Sequence, residues 1–302
     1  MPPLGLGCAS LGDDTTPGAE RRATAVVHAA LETGCCYLDT APHYGTGVSE
    51  ERLGRALAGR ERGGYVLSTK VARRLRGDGA RRTREWDLSR DGIRVTLEES
   101  LRRLGTDRVE IVLLHDVEHH VREVYETGFP ALAALREEKV VKAIGFGMND
   151  PAALARFVAD LDVDVVLCAG RYTLLNARAH DELLPLCERR GTSVVLGGVY
   201  NSGLLADPRP GAPYDYRAAP PALVAKAQRI AAVCARYGVP LPAAALRFGF
   251  GHPAVAGAVV GARTPEEVRA NAALFRHDIP DAMWHALVDE PLLDPALPLP
   301  VG

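Results

Sequence analysis

Short runs of apolar residues alternate along this chain with longer stretches in which apolar positions recur every three or four residues. The short runs, partly β-branched, cover 4–8, 35–39, 65–71, 109–115, 140–147, 163–168, 193–198 and 255–260. Runs of this length that are apolar throughout predict strands buried on both faces, as in a parallel sheet. The longer stretches, at 20–33, 49–58, 89–104, 130–138, 151–160, 179–190, 222–237 and 265–274, carry the helical period. Several have start and stop signals. Asp150-Pro151 and Thr264-Pro265 pair an N-cap with proline at the first helical position, and Glu267 follows Thr264 as in a capping box. Gly34, Gly105, Gly191 and Gly238 stand where C-terminal glycines are expected.

Eight strand–helix units predict an α/β architecture, a (β/α)8 TIM barrel formed by residues 1–302 as one domain. An open Rossmann sheet would need G-x-G-x-x-G after its first strand. Leu4-Gly5-Leu6-Gly7-Cys8 has glycines at the wrong spacing and leads into no long helix.

Several of the predicted strands end on a group that can do chemistry. Leu38-Asp39-Thr40-Ala41-Pro42-His43-Tyr44-Gly45 supplies Asp39 and Tyr44, Leu67-Ser68-Thr69-Lys70 supplies Lys70, and Leu113-Leu114-His115 supplies His115. In a parallel barrel the active site is built from the ends of different strands, so these four can converge while far apart in sequence. An aspartate, a tyrosine, a lysine and a histidine together form a proton-transfer set.

Composition narrows the classes. The chain has 302 residues, 47% of them hydrophobic, and a formal net charge of −2, enough for one large core and without the basic excess of a nucleic-acid binder. The arginines at 73–76 and 81–84 lie among Asp78, Glu85 and Asp87, which reads as a solvated loop. No run has the length of a membrane span, and Met1-Pro2-Pro3-Leu4-Gly5 lacks the basic start of a signal peptide. The six cysteines include no CxxC pair, which predicts buried free thiols and a cytoplasmic protein. His119 and His120 have no third ligand at a sensible spacing, so no metal site is expected. Two long connections, 78–87 and 200–220, carry Trp86, Tyr200, Tyr214 and Tyr216 and are expected to cover substrate.

These fragments, in this order, resemble the aldo-keto reductase family over nearly the whole chain. The resemblance rests on Asp39–Gly45 followed by Ser49-Glu50-Glu51-Arg52-Leu53-Gly54, on Ser68-Thr69-Lys70, and on Leu113-Leu114-His115. It extends through Gly145-Phe146-Gly147-Met148-Asn149, Ser202-Gly203-Leu204-Leu205, and Val260-Gly261-Ala262-Arg263-Thr264-Pro265 to Asn271. It implies a barrel that binds extended NAD or NADP without a Rossmann fold. Tyr44 would be the general acid or base, Lys70 would lower its pKa, Asp39 would pair with Lys70, and His115 would orient the substrate oxygen. For the cofactor it implies Asn149 at the nicotinamide, Ser202, Gly203 and Leu204 in the seventh loop, and Gly261, Ala262, Arg263, Thr264, Glu267 and Asn271 at the phosphate and adenosine end. Met148 and Gly197 replace a serine and a stacking aromatic common in the family. Gly261 and Glu267 stand where NADP-specific relatives carry a lysine and an arginine, which favours NAD, with NADP as the alternative.

Ala41–Gly45, Leu113–Asp116, Gly145–Asn149, Arg171-Tyr172-Thr173-Leu174-Leu175 and Tyr200–Leu205 resemble the branch that oxidises aldoses of the L-fucose and D-threo type to lactones. Trp86, Asp116, Arg171 and Tyr200, with His119, are the candidate substrate contacts. The expected partner is a small sugar or aldehyde, with no nucleic acid and no membrane, and the protein is expected to be a monomer or weak oligomer. Three alternatives stay open: an NADPH-dependent aldehyde or ketone reductase, a pyridoxal 4-dehydrogenase, and a non-catalytic nucleotide-sensing subunit.

Overall fold

A computed structural model describes residues 2–77, 82–215 and 217–301. Asp78 and Arg81 of the arginine-rich stretch, and Tyr216 of the second long connection, lie outside the described residues. Eight strands close into a barrel: β1 Leu4–Gly7, β2 Tyr37–Asp39, β3 Val66–Val71, β4 Ile111–His115, β5 Ala143–Met148, β6 Val165–Ala169, β7 Ser193–Gly197 and β8 Val255–Gly261. Each neighbours the next in sequence, and β8 closes on β1. This is the (β/α)8 fold that the alternation predicts. Strands β1 to β5 pair in parallel, as do β7 and β8, with Asp39 opposite Ser68, Lys70 opposite Leu113 and His115 opposite Gly147. β2 and β4 are buried along their whole length.

The chain divides into two compact units, Met1–Met148 with Asp162–Val166 and Val259–Arg269, and Asn149–Leu161 with Leu167–Ala258 and Ala270–Gly302. In the first, Gly145 is required by close packing, since a Cβ there would come within 1.7 Å of the Val165 carbonyl oxygen. In the second, Asp150 caps Pro151–Asp160 by accepting from the amides of Ala152 and Ala153 at 3.0 and 3.1 Å.

Some elements differ from the sequence reading. Helices Leu241–Phe248 and Asp281–Asp289 follow Pro240 and Pro280, which stand at their N-caps and start helices here instead of breaking them. The helix expected over 179–190 is a short 3₁₀ turn, Arg178–His180, followed by Leu183–Arg190. Among the described residues of the arginine-rich stretch, Arg73–Arg76 and Thr83–Trp86 are not loop but pair as the two strands of an antiparallel hairpin, Arg73 opposite Trp86. Five of the six cysteines are buried, and all six are free thiols. Among the described residues no helix is long and apolar enough to cross a membrane, and no group of His, Cys, Asp or Glu could hold a metal ion.

Candidate active site

The strand ends of the first unit converge on Lys70. Its side chain is 1% exposed, and a charge that deeply buried requires partners. It has three: Lys70 Nζ donates to Asp39 Oδ2 at 2.7 Å, to the Thr40 carbonyl at 2.9 Å and to the Tyr44 hydroxyl at 3.2 Å. Burial works against the ammonium, but Asp39 and Tyr44 outweigh it and hold Lys70 above the ordinary lysine range. The other carboxylate oxygen of Asp39 accepts from Ser68 Oγ at 2.6 Å, and Ser68 is bonded to the Tyr37 hydroxyl at 2.9 Å. Both oxygens of Asp39 are thus fixed, and with them the lysine.

Tyr44 opens the turn Tyr44–Gly47, in which Gly45 and Thr46 both have φ of 56°. The turn packs backbone to backbone on Gly12: a Cβ on Gly45 would approach the Gly12 carbonyl oxygen to 2.3 Å. Only glycine suits that approach, and it fixes where the phenol starts. Burial raises the Tyr44 phenol above its ordinary value, and Lys70 pulls it only part of the way back. The lowering expected from Lys70 is therefore present but outweighed by desolvation.

His115, 6% exposed, stands edge-on to the Tyr44 ring at 5.8 Å and to the His43 ring at 5.9 Å. Burial, then the charges of Lys70 and Arg73, hold its pKa well below the usual histidine range, so the ring is neutral at pH 7. Its Nδ1 has no hydrogen-bond partner among the described residues, and its Nε2 lies 3.6 Å from Asp116 Oδ2. Asp39, Tyr44, Lys70 and His115 therefore meet: a phenol between an ammonium and a neutral imidazole, a geometry suited to moving one proton to or from a substrate oxygen.

The hairpin adds Arg73 and Arg84, with Arg82 just before its second strand, all three expected from the sequence only as part of a solvated loop, and it carries the expected Trp86. Arg73 Nη1 pairs with Asp116 Oδ2 at 2.6 Å, and its guanidinium lies 5.0 Å from the centre of the Trp86 indole. Trp86 in turn lies 4.4 Å from His120, ring centre to ring centre, whereas His119 is exposed. Arg84 donates to Thr46 Oγ1 at 3.0 Å and to the His43 carbonyl at 3.3 Å, and Arg82 to the Thr46 carbonyl at 3.1 Å. The hairpin thus grips the turn that begins with Tyr44.

The expected cofactor residues divide between the two units. In the first, Gly261, Ala262, Arg263 and Thr264 line a cavity of about 600 Å³ together with Ser10 and Arg52. Ser10 Oγ donates to the Ala262 carbonyl at 2.7 Å. Thr264 Oγ1 accepts the Glu267 amide at 3.2 Å, and Glu267 Oε2 accepts the Arg263 amide at 2.7 Å. In the capping box the glutamate would take the amide of Thr264 itself; here it reaches one residue further back.

In the second unit, Asn201, Ser202 and Gly203 have φ of 47°, 60° and 109°, with Leu204 buried behind them. A Cβ on Gly203 would meet nothing within 4 Å, so this backbone is open to close approach. Asn149 is exposed, and its carbonyl accepts from Arg171 Nε at 3.0 Å. Arg171 also bonds Asp215 at 2.9 Å and the Gly170 carbonyl at 3.2 Å. The Tyr200 hydroxyl donates to Asn271 Oδ1 at 2.9 Å. Arg171 and Tyr200, expected to reach sugar hydroxyls, are thus engaged with their own unit, Tyr200 with an expected cofactor residue. Each unit has donors of a type that suits a nucleotide cofactor: in the second, an exposed carboxamide at Asn149 and an open glycine backbone at Gly203; in the first, the cation of Arg263 beside the helix N-terminus that Thr264 caps.

The Aldo/keto reductase family model matches residues 3–289. The chain is 40% identical to D-threo-aldose 1-dehydrogenase from Pseudomonas sp, over 97% of this chain and 95% of that one. It is 36% identical to pyridoxal 4-dehydrogenase from Microbacterium luteolum, over 96% and 94%. Among solved structures, the holo form of an aldo-keto reductase from Bacillus halodurans is similar with a TM-score of 0.77 at 28% identity, over 97% of this chain and 93% of that one. The chain belongs to the aldo/keto reductase family and is an NAD(P)-dependent oxidoreductase.

Proposed function

We propose that this protein is an NAD-dependent aldose dehydrogenase that oxidises a cyclic sugar of the L-fucose or D-threo-aldose type to its lactone. The observation that carries the proposal is the contact of Lys70 Nζ with the Tyr44 hydroxyl at 3.2 Å, beside a neutral His115, in a chain 40% identical to D-threo-aldose 1-dehydrogenase. The residues named below would hold NAD⁺, which when bound would supply the acceptor for the hydride from C1 of the sugar. Tyr44, as phenolate, accepts the proton of the C1 hydroxyl while the carbon–oxygen double bond forms. Lys70 stabilises that phenolate, and Asp39 keeps Lys70 charged and in place. His115 donates a hydrogen bond that orients the reacting oxygen.

Asn149, Ser202, Gly203 and Leu204, with Gly261, Ala262, Arg263, Thr264, Glu267 and Asn271, hold the cofactor in this reading. The preference for NAD is supported by Glu267, whose carboxylate already accepts the Arg263 amide at 2.7 Å. A second carboxylate in that first helical turn, Glu266, adds to the repulsion of a 2′-phosphate. A free ribose hydroxyl meets no such penalty. The protein acts as a cytoplasmic single-domain monomer or weak oligomer, on small sugars or aldehydes and without nucleic acid.

The test follows nicotinamide absorbance with NAD⁺ and NADP⁺ in parallel over L-fucose, D-arabinose, L-galactose and pyridoxal. Turnover of a sugar with NAD⁺, absent in Tyr44→Phe, supports the reading. Oxidation of pyridoxal alone, or reduction of simple aldehydes with NADPH alone, overturns it.

A further inference from the structure

The chain turns at Asp116 in a way few side chains allow. Its φ is 51°, in the left-handed region, where a residue other than glycine stores strain. The Asp116 amide donates to the Gly147 carbonyl at 3.0 Å, which pins the turn to β5. The strained turn directs the carboxylate back toward the strand end, where Asp116 Oδ2 lies 3.6 Å from His115 Nε2 and 2.6 Å from Arg73 Nη1. Burial raises the Asp116 carboxyl, and Arg73 offsets only part of that rise. The relay through Asp39, Lys70 and Tyr44 uses neither residue.

We infer that Arg73 and Asp116 form a clamp for the substrate hydroxyl next to the reacting carbon, with Arg73, supplied by the hairpin, as a specificity-determining residue. The inference rests on the aldose reading given above. In that reading the reacting oxygen is held by the Tyr44 hydroxyl and the His115 imidazole. Asp116 Oδ2 stands one short step beyond Nε2, and vicinal sugar oxygens are separated by a similar step. A hydroxyl on C2 donates to the carboxylate. Its lone pairs accept from the guanidinium, which has five N–H groups and uses one hydrogen bond on Asp116. The pairing also settles a charge problem. A bare carboxylate beside the reacting oxygen would oppose negative charge building there as the proton leaves, and Arg73 offsets that field. Trp86, 42% exposed, flanks Arg73 and offers an apolar face for the sugar's C–H groups.

The experiment deletes each side of the contact in turn. L-Fucose and 2-deoxy-L-fucose are compared as substrates for the full-length enzyme and for Arg73→Met and Asp116→Asn, with melting temperature recorded for each. The clamp predicts that the unmodified enzyme prefers L-fucose by about tenfold or more in kcat/KM, the size of one charge-assisted hydrogen bond. Most of that preference lies in KM, and both variants reduce it to about twofold or less. Parallel losses on the two sugars, with the preference kept, mean that the pair only supports the loop, and overturn the clamp alone. Turnover of neither sugar by the unmodified enzyme overturns the aldose reading, and the clamp with it.

Discussion

Lys70 Nζ lies 3.2 Å from the Tyr44 hydroxyl, and its other two contacts are the Asp39 carboxylate and the Thr40 carbonyl. The lysine is thus both the group that stabilises a phenolate and the counter-charge of a buried aspartate. Removing it has two separable effects.

Lys70→Met leaves Asp39 as an unpaired carboxylate that is 3% exposed. Breaking a buried pair in this way costs about 3–5 kcal/mol. Asp39→Asn together with Lys70→Met removes the stranded charge, and is expected to recover a large part of that loss without recovering activity. Urea unfolding of the two single variants and the double variant checks this. Strictly additive losses would mean that the pair is not coupled.

The raised Tyr44 phenol sets the pH dependence of activity. In the oxidative direction Tyr44 must be deprotonated, so kcat/KM is expected to rise with pH across the neutral and alkaline range. In the reductive direction the protonated phenol is the acid, and the rate falls as pH rises. Profiles measured in both directions test the assignment. Lys70→Met moves the oxidative limb to still higher pH.

Two histidines make the fold acid-sensitive. Burial lowers His43 from the ordinary 6.5 to about 4, and His115 lies well below its ordinary value for the same reason. Between the unfolded and folded values the unfolded chain binds more protons, so stability rises with pH there and is lost as pH falls from about 6.5 toward 4. His43→Gln, which cannot titrate, is expected to flatten that slope. Melting temperatures across the window measure it.

The adenosine end offers a test of cofactor choice. Gly261→Lys with Glu267→Arg replaces a carboxylate by two cations, and is expected to shift the NADP⁺ to NAD⁺ ratio of kcat/KM by about tenfold or more toward NADP⁺. An unchanged ratio would remove Glu267 from the argument for NAD.

Asp39, Lys70 and His115 were legible because apolar strands end on or next to them, and a barrel gathers strand ends by construction. Tyr44 was legible only through the motif around it, since its place depends on Gly45 packing against Gly12, a contact between loops. The hairpin was hidden by its own arginines. In Arg73–Arg76 only Leu75 is buried, too little alternation to separate a strand from a charge run. The raised state of Tyr44 was also out of reach: a sequence names the charge that lowers a pKa but not the burial that raises it. Arg171 and Tyr200 stood on the expected connections, but their partners Asp215 and Asn271 lie 44 and 71 residues away, with no local pattern to announce them.

The central claim is that hydride leaves C1 of an aldose as Tyr44 takes the hydroxyl proton, and L-fucose deuterated at C1 tests it most directly. Turnover with NAD⁺ is predicted to place the deuterium on the reduced nicotinamide, in step with lactone formation and with a slower rate than the protiated sugar. Tyr44→Phe should abolish the transfer. Lactone formed without deuterium on the nicotinamide, or transfer at full rate in Tyr44→Phe, would contradict the account.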